Sequence, residues 1–137
     1  MGAVSPSVDD VARVYAKKNG AKIQATGAYA ANLLGFSDQV PGRVVFLTDG
    51  PTGKVKIKNL QITFKKTTVR SMASAGTREA LVIQVFKFMK KEHIDKFILE
   101  KTKNILKASK RKEFEKNVRF APLWIRALLF NLLEDTQ

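Results

Sequence analysis

The chain has 137 residues and a mass of 15.3 kDa, the size of one compact domain. It contains no cysteine and one histidine, which excludes disulfide scaffolds, thiol nucleophiles and cysteine-rich zinc sites. No apolar run approaches the roughly 18 residues that a membrane span needs, and the first residues are no signal peptide. We therefore expect a cytoplasmic protein with no membrane partner, in which residues 7–137 form a single domain after an irregular or cloning-derived start at 1–6.

Net charge is the most informative feature of the composition. The 25 Lys and Arg residues against 12 Asp and Glu residues give a formal net charge of +13 and an isoelectric point near 10.2. Such an excess opposes compaction and attracts polyanions, so the expected partner is nucleic acid or an acidic protein surface. The alternative is a lysine-rich proteome in which the charge serves no partner.

The N-terminal third predicts two helices separated by a short strand. A hydroxyl cap at Ser7, followed by two aspartates, begins a helix that should end at Gly20. Residues 22–25 then have the pattern of a short strand. An Ala- and Leu-rich segment predicts a second helix that ends at Gly35.

The middle of the chain changes from helical to alternating periodicity. Residues 43–48 and 60–64 are rich in β-branched and aromatic side chains, and residues 54–58 alternate lysine with an aliphatic residue. The glycines and the proline of residues 49–53 are typical of a hairpin loop. The three strands are therefore expected to form an antiparallel meander.

From Gly76 to the end the pattern is helical. Pro122 begins a last helix that is apolar nearly all round, so this helix is either buried or packs against another copy of the chain. Strands grouped before helices predict an α+β fold. We expect a small antiparallel sheet of three to four strands, packed against an all-helical C-terminal half.

No set of residues in the sequence predicts catalysis. Asp49 ends a strand, where a metal-dependent nuclease of the restriction fold would place an acid, but the following strands offer no Glu-x-Lys or Asp-x-Lys pair. His93 has no cysteine, serine or second histidine nearby, and the glycines form no phosphate-binding motif. We therefore expect a protein that is not an enzyme and has no cofactor or metal; the nuclease is the least favoured interpretation.

Basic residues are concentrated between Lys87 and Lys112, where ten cations against three acids give a net charge of +7. These helices are expected to bind phosphates or an acidic face of a protein partner. The alternative is an ordinary solvated surface. Aromatic residues interleaved for base stacking are missing, so sequence-specific reading of nucleic acid is not expected. The candidate binding residues are Lys87, Lys90, Lys91, Lys101, Lys103, Lys107 and Arg111.

Three further residues are candidate partner contacts. Tyr29 and Asn32 lie three residues apart, near one face of the predicted second helix, and Asp49 lies in the loop after the first long strand. Each has a structural alternative: Tyr29 as a half-buried core aromatic, Asn32 as a hydrogen-bonded tie to residues 37–39, and Asp49 as a turn residue.

Two segments of the chain resemble a known family. They read Gly27-Ala-Tyr-Ala-Ala-Asn-Leu-Leu-Gly-Phe-Ser-Asp-Gln-Val-Pro41 and Val44-Val-Phe-Leu-Thr-Asp-Gly-Pro51. Both are similar to the AbiEi-type antitoxins of bacterial type IV abortive-infection systems, and the likeness continues at 56–58, 62–64 and 120–125. The resemblance implies a protein that neutralises a nucleotidyltransferase-like toxin encoded beside it.

In that family a winged-helix DNA-binding domain precedes this region, and none precedes Ser5 in these residues. The chain is expected to be either an excised C-terminal domain or a natural short form, and operator binding is not implied in either case. The resemblance implies a non-catalytic antitoxin-like domain with a toxin partner. The alternative is a non-specific nucleic-acid-binding module with weak, salt-sensitive affinity. Homo-oligomers are expected, if they form, through the last helix.

Overall fold

The computed structural model describes residues 7–39 and 41–134, and the prediction for residues 1–6 lies outside them. The helices and strands are α1 (Val8–Asn19), β1 (Ile23–Ala25), α2 (Gly27–Leu33), β2 (Arg43–Thr48), β3 (Gly53–Ile57), β4 (Leu60–Lys66), α3 (Arg78–Met89), α4 (Lys96–Leu106), α5 (Arg111–Val118) and α6 (Leu123–Glu134). Turns of 3₁₀ helix lie at Arg70–Met72 and Lys91–His93. Within these ranges no helix has the length and apolar character to cross a membrane. The fold is α+β, as the sequence predicts.

The sheet has four strands in the order β1-β2-β4-β3 and is mixed. β2 runs parallel to β4, while β1 pairs antiparallel with β2, and β3 pairs antiparallel with β4. The predicted antiparallel meander is therefore wrong. β4 lies between β2 and β3, so residues 49–53 connect two strands on opposite sides of β4 and do not close a hairpin.

The distribution of apolar residues explains why β4 is central. Its Ile62 and Phe64 are 0% and 1% exposed, whereas Lys54 and Lys56 of β3 are both exposed. A lysine-rich strand suits the edge of a sheet, because charge discourages pairing with another chain. The tight hairpin of this protein joins β3 to β4, and Lys58 adopts a left-handed backbone conformation there, with φ 53°.

Helices α1 and α2 cover one face of the sheet. The Phe64 ring stacks on Tyr15 of α1, with the ring centroids 3.8 Å apart, and on Phe46 of β2 at 5.6 Å. As predicted, Ser7 caps α1: its hydroxyl accepts a hydrogen bond from the backbone of Asp10, whose carboxylate accepts one from the backbone of Ser7. These contacts make the sheet and the first two helices one core.

A second core lies among the C-terminal helices. Phe86 of α3, Phe114 of α5 and Leu129 of α6 are fully buried there. α3 belongs to both cores, since its Val85 packs into the sheet cluster while Phe86, the next residue, packs into the helical one. The all-helical half is thus joined to the sheet through α3.

Burial explains most of the apolar character of α6. Ile125, Leu129 and Leu132 are buried, and Trp124 packs against the helical core. Leu123, the first residue of the helix, is 73% exposed. Burial, the first of the two alternatives predicted for this helix, therefore accounts for its apolar character. Self-association through α6 stays a prediction.

Candidate functional site

The seven predicted binding residues fall in several places. Lys90 and Lys91 are exposed where α3 ends. Lys103 lies on α4, and Lys107 follows the last residue of that helix in a helical backbone conformation, so the two lysines, four residues apart, share one face. Lys101 lies two residues before Lys103, a rotation of about 200° around the helix axis, and therefore points elsewhere.

Lys101 is occupied by a structural contact. Its Nζ donates a hydrogen bond to the carbonyl oxygen of Gly35, just after α2. The same Nζ lies 5.6 Å from the ring centroid of Phe36 and 5.9 Å from that of Phe97. This lysine therefore ties α4 to the segment that follows α2.

Arg111 is also partly occupied. Its Nε lies 2.8 Å from Oε1 of Glu115 in an ion pair whose side chains are both 50% exposed. The guanidinium also lies 5.7 Å from the Phe130 ring centroid. An exposed i,i+4 pair of this kind is weak, so Arg111 remains able to exchange this partner for another anion.

The structure gives Asn32 the loop-tying role. Its Nδ2 donates hydrogen bonds to the carbonyl oxygens of Ser37, at 3.3 Å, and Gln39, at 3.1 Å, so the hydrogen-bonding alternative is confirmed. Tyr29 is half-buried and packs edge-on against Phe46, with ring centroids 5.7 Å apart. Burial raises the pKa of Tyr29 above its ordinary value, with a smaller contribution from the charge of Asp9.

Asp49 does not sit in a hairpin turn, because residues 49–53 do not close a hairpin. Its Oδ1 instead accepts a hydrogen bond from the backbone N–H of Lys22, at 2.9 Å. Asp49 therefore fastens the end of β2 to the connection between α1 and β1. No group of three or more His, Asp or Glu side chains that could hold a metal ion occurs among the residues described.

The structure shows a cleft that the sequence does not predict. It has a volume of about 470 Å³ and lies where β1, β2, the turn at 70–72, α3 and α5 meet. No carboxylate lines it in the part of the chain that the structure describes. Its four cationic lining residues are Arg70, Lys87, Lys116 and Arg119.

Two arginines of the cleft share one aromatic ring. The Arg70 guanidinium carbon lies 4.2 Å from the Phe120 ring centroid, and that of Arg119 lies 5.3 Å from the same centroid. Phe120 itself is 49% exposed. The ion pairs among the described residues involve other cations, so neither arginine is neutralised by a carboxylate there.

Buried polar contacts fix the walls of the cleft. Glu79 of α3 is 3% exposed and accepts hydrogen bonds from Nδ2 of Asn117, at 2.8 Å, and from the hydroxyl of Ser109. Gln24 of β1 is 5% exposed, and its Oε1 accepts a hydrogen bond from the backbone N–H of Gly76, at 2.9 Å. The first contact holds α5 to α3, and the second holds the segment after Arg70 to the sheet.

The sheet face opposite α1 and α2 is also basic. Side chains alternate between faces along a strand, and the register places Lys54 beside Thr63 and Lys56 beside Gln61. The exposed cations of this open face are Arg43, Lys54, Lys56 and Lys65. Leu47 lies on the same face and lines the cleft, so the two basic surfaces are continuous.

Sequence reasoning found Lys87 but missed Arg70, Lys116 and Arg119. One signal pointed toward this surface: residues 50–78 contain seven basic residues and no acidic one. Three of the seven, Lys54, Lys56 and Lys58, belong to an alternating strand pattern, which by itself indicates no binding site. Only the folded chain brings its end, at Arg70, against Arg119 and Phe120.

The fold and this surface define a small, basic α+β protein with a cationic cleft. A family of unknown function, DUF6088, matches residues 1–114 of the chain, and the chain belongs to that family. The matched residues include the whole sheet and α3, and they end within α5, before Lys116. No curated protein and no solved structure matches the chain.

Proposed function

We propose that this protein is a non-catalytic, antitoxin-like domain of a bacterial type IV toxin–antitoxin system. It neutralises or accompanies a nucleotidyltransferase-like toxin in the cytoplasm, by direct contact. The observation that carries the proposal is the basic surface formed by the exposed Lys90, Lys91 and Lys107 together with the half-buried Lys103. An acidic face on the toxin would complement this surface, speed association and fix orientation.

The resemblance to the AbiEi-type antitoxins supplies the kind of partner. Its strongest part, residues 27–51, covers α2, the following loop and β2. Much of that segment is occupied in packing: Ala30 and Ala31 are buried, and Asn32 ties the loop. Much of the resembling segment therefore has a structural role, and we place the partner contact on exposed residues within it and around it.

An apolar anchor for such a contact lies beside Lys101. Phe97 of α4 is 66% exposed and Leu33 of α2 is 50% exposed. Lys101 contacts the Phe97 ring and is fastened to Gly35, two residues after Leu33. Protein interfaces commonly combine an aromatic anchor with a polar rim. This face of α4 is therefore one part of the proposed toxin contact, and Lys103 and Lys107, on another face of the helix, are a second part.

A second candidate function is non-specific binding of nucleic acid. It is favoured by the open sheet face, where Arg43, Lys54, Lys56 and Lys65 are exposed together with no carboxylate on those strands. Cations on a broad surface bind phosphates without reading bases. We expect weak affinity whose logarithm falls with the logarithm of salt concentration, with a slope near −0.9 per phosphate neutralised.

Two matched charge reversals separate these functions. The helical variant combines Lys90→Glu, Lys91→Glu, Lys103→Glu and Lys107→Glu; the sheet variant combines Arg43→Glu, Lys54→Glu, Lys56→Glu and Lys65→Glu. Lys101 stays unchanged, because its contact with Gly35 would be lost. All eight positions except Lys103 are exposed, so both variants should remain folded.

Each protein is co-expressed with the nucleotidyltransferase-like toxin encoded beside its gene, and growth is scored. Wild type and the sheet variant should restore growth, whereas the helical variant should not. Of the two variants, only the sheet variant should lose affinity for nucleic acid. A folded wild-type protein that gives no rescue, or a locus without such a toxin, contradicts the proposed function.

A further inference from the structure

We propose that the cleft of Arg70, Lys87, Lys116 and Arg119 binds one phosphorylated small molecule of nucleotide size. The site is separate from the helical surface proposed to contact a toxin, and it stands whether or not that function is correct. Four features of the cleft support it: volume, lining charge, the arrangement of the arginines, and free polar groups.

The volume of about 470 Å³ is in the range of small-molecule sites, which run from about 300 to 1,000 Å³. The lining is mixed. Leu47, Ile83 and Ala121 offer apolar surface, while cations and hydroxyl groups offer polar contacts. This combination fits a ligand that carries a phosphoryl group and also an apolar or ring portion.

The lining charge selects an anion. Four cations line one cavity, and no carboxylate of the described residues lines it with them. Like charges gathered in a concave site repel one another, and an anion relieves that repulsion. Guanidinium groups bind phosphate through paired, charge-assisted hydrogen bonds, which suits Arg70 and Arg119 to this ligand.

The two arginines are also held in place before a ligand arrives. Both guanidiniums lie against the Phe120 ring, at 4.2 and 5.3 Å from its centroid. Contacts with an aromatic face limit the conformations of a long side chain without neutralising it. Less conformational freedom is then lost on binding, which favours affinity.

Polar side chains of the cleft have unused hydrogen-bonding capacity. Among the residues that the structure describes, the Ser74 hydroxyl and the Gln84 amide line the cleft and make no side-chain hydrogen bond. Asn117 uses its Nδ2 on Glu79, which leaves its Oδ1 as an acceptor. Such groups can hold the hydroxyls or ring nitrogens of a nucleotide.

A compact ligand is favoured over a polymer because the cleft cations converge on one cavity. A nucleic acid strand would instead follow the open sheet face, whose cations are spread over β2, β3 and β4. The two surfaces are continuous, so the experiment must distinguish them.

The test uses isothermal titration calorimetry of the full chain with ATP, inorganic pyrophosphate and adenosine, at about 150 mM salt. We expect ATP to bind at one site per chain, pyrophosphate to bind more weakly, and adenosine to give no saturable heat. Replacing both arginines, Arg70→Gln with Arg119→Gln, should weaken ATP binding by about tenfold or more, since each loses charge-assisted hydrogen bonds.

The matched control is Lys54→Gln with Lys56→Gln, which removes the same charge from the open sheet face and should change the affinity less than about twofold. Lys87→Gln with Lys116→Gln is a second cleft variant that spares the Phe120 contacts, in case the arginine variant unfolds. The proposal is overturned if ATP shows no saturable binding, or if the control variant weakens ATP binding as much as the cleft variant does. Equal affinity for ATP and pyrophosphate overturns the assignment of a nucleotide. A single-stranded oligonucleotide is also tested for competition with ATP. If it competes, and if this competition is lost when Lys54 and Lys56 are replaced, the site lies on the sheet face instead.

Discussion

The side-chain amide of Asn117 donates a hydrogen bond to the carboxylate of Glu79 over 2.8 Å, and both residues are buried. The Ser109 hydroxyl donates to the other carboxylate oxygen. A buried carboxylate is tolerated only with such partners, so this contact is a strong link between α3 and α5. It also sets the separation of the two walls that carry Lys87 and Lys116.

Removal of this carboxylate should destabilise the fold. Glu79→Ala leaves Asn117 and Ser109 without their partner and opens space beside α5, so we expect a loss of about 2–4 kcal/mol in urea denaturation. Glu113→Ala, on the exposed surface of α5, is the matched control and should cost less than about 0.5 kcal/mol. Equal effects of the two changes would show that the buried contact contributes nothing specific.

Gln24 should stabilise the segment after Arg70 by holding it to the sheet. Gln24→Leu is close in size but offers no acceptor to the backbone N–H of Gly76. We expect a loss of about 1–3 kcal/mol and faster hydrogen exchange of the Gly76 amide, because that donor is left unpaired. The same change at Gln61, on the open sheet face, should have little effect on either measurement. Unaltered protection of Gly76 in Gln24→Leu argues against this role.

Asn32 should control the order of the loop after α2. Asn32→Ala removes the hydrogen bonds to Ser37 and Gln39, and we expect limited proteolysis to cut this loop several-fold faster than in the wild type. Asn104→Ala, at an exposed position of α4, serves as the control. If both variants are cut at the wild-type rate, the loop is held by other contacts.

The raised pKa of Tyr29 predicts that the protein loses stability at alkaline pH. Burial raises the pKa of Tyr29 in the folded protein above the ordinary value of 10.0. The folded state therefore keeps its proton at a pH where the unfolded chain has lost it, and this contribution to stability is lost as pH rises through the raised pKa.

Ultraviolet titration of tyrosinate in wild type and Tyr29→Phe isolates this group. The Tyr29 phenol should ionise at higher pH in the folded than in the urea-unfolded protein. The phenylalanine keeps the ring contact with Phe46, so the variant should remain folded and lack the ionisation at higher pH. A Tyr29 phenol that titrates identically in both states contradicts this prediction.

Local patterns in the sequence predict the strands and most of the helices, but they do not predict α5 as a separate helix or the pairing of the strands. Ser7 and Gly20 mark the two ends of α1 because caps act within a few residues. The pairing of β2 with β4 depends instead on a competition between strands: the burial of Ile62 and Phe64 places β4 at the centre. Strands that are adjacent in sequence commonly pair, but the preference of the lysine-rich β3 for the edge of the sheet outweighs that tendency here.

The cleft could not be predicted because its residues come from distant parts of the chain. Arg70 precedes α3, while Arg119 and Phe120 follow α5. Each residue alone has the ordinary character of a surface side chain. The lysines of residues 87–112 dominate the charge pattern because they are dense along the sequence. In the fold, however, Lys101 is fastened to Gly35.

The central claim, direct binding of a toxin through the helical surface, is tested most directly by calorimetric titration of the purified neighbouring toxin with this protein. We predict a stoichiometric complex at about 150 mM salt that weakens as salt rises, because complementary charge contributes to it. Phe97→Ser and the helical charge reversal should each reduce the affinity, while the sheet reversal should not. A toxin that binds none of these proteins, or binds all of them equally, contradicts the claim.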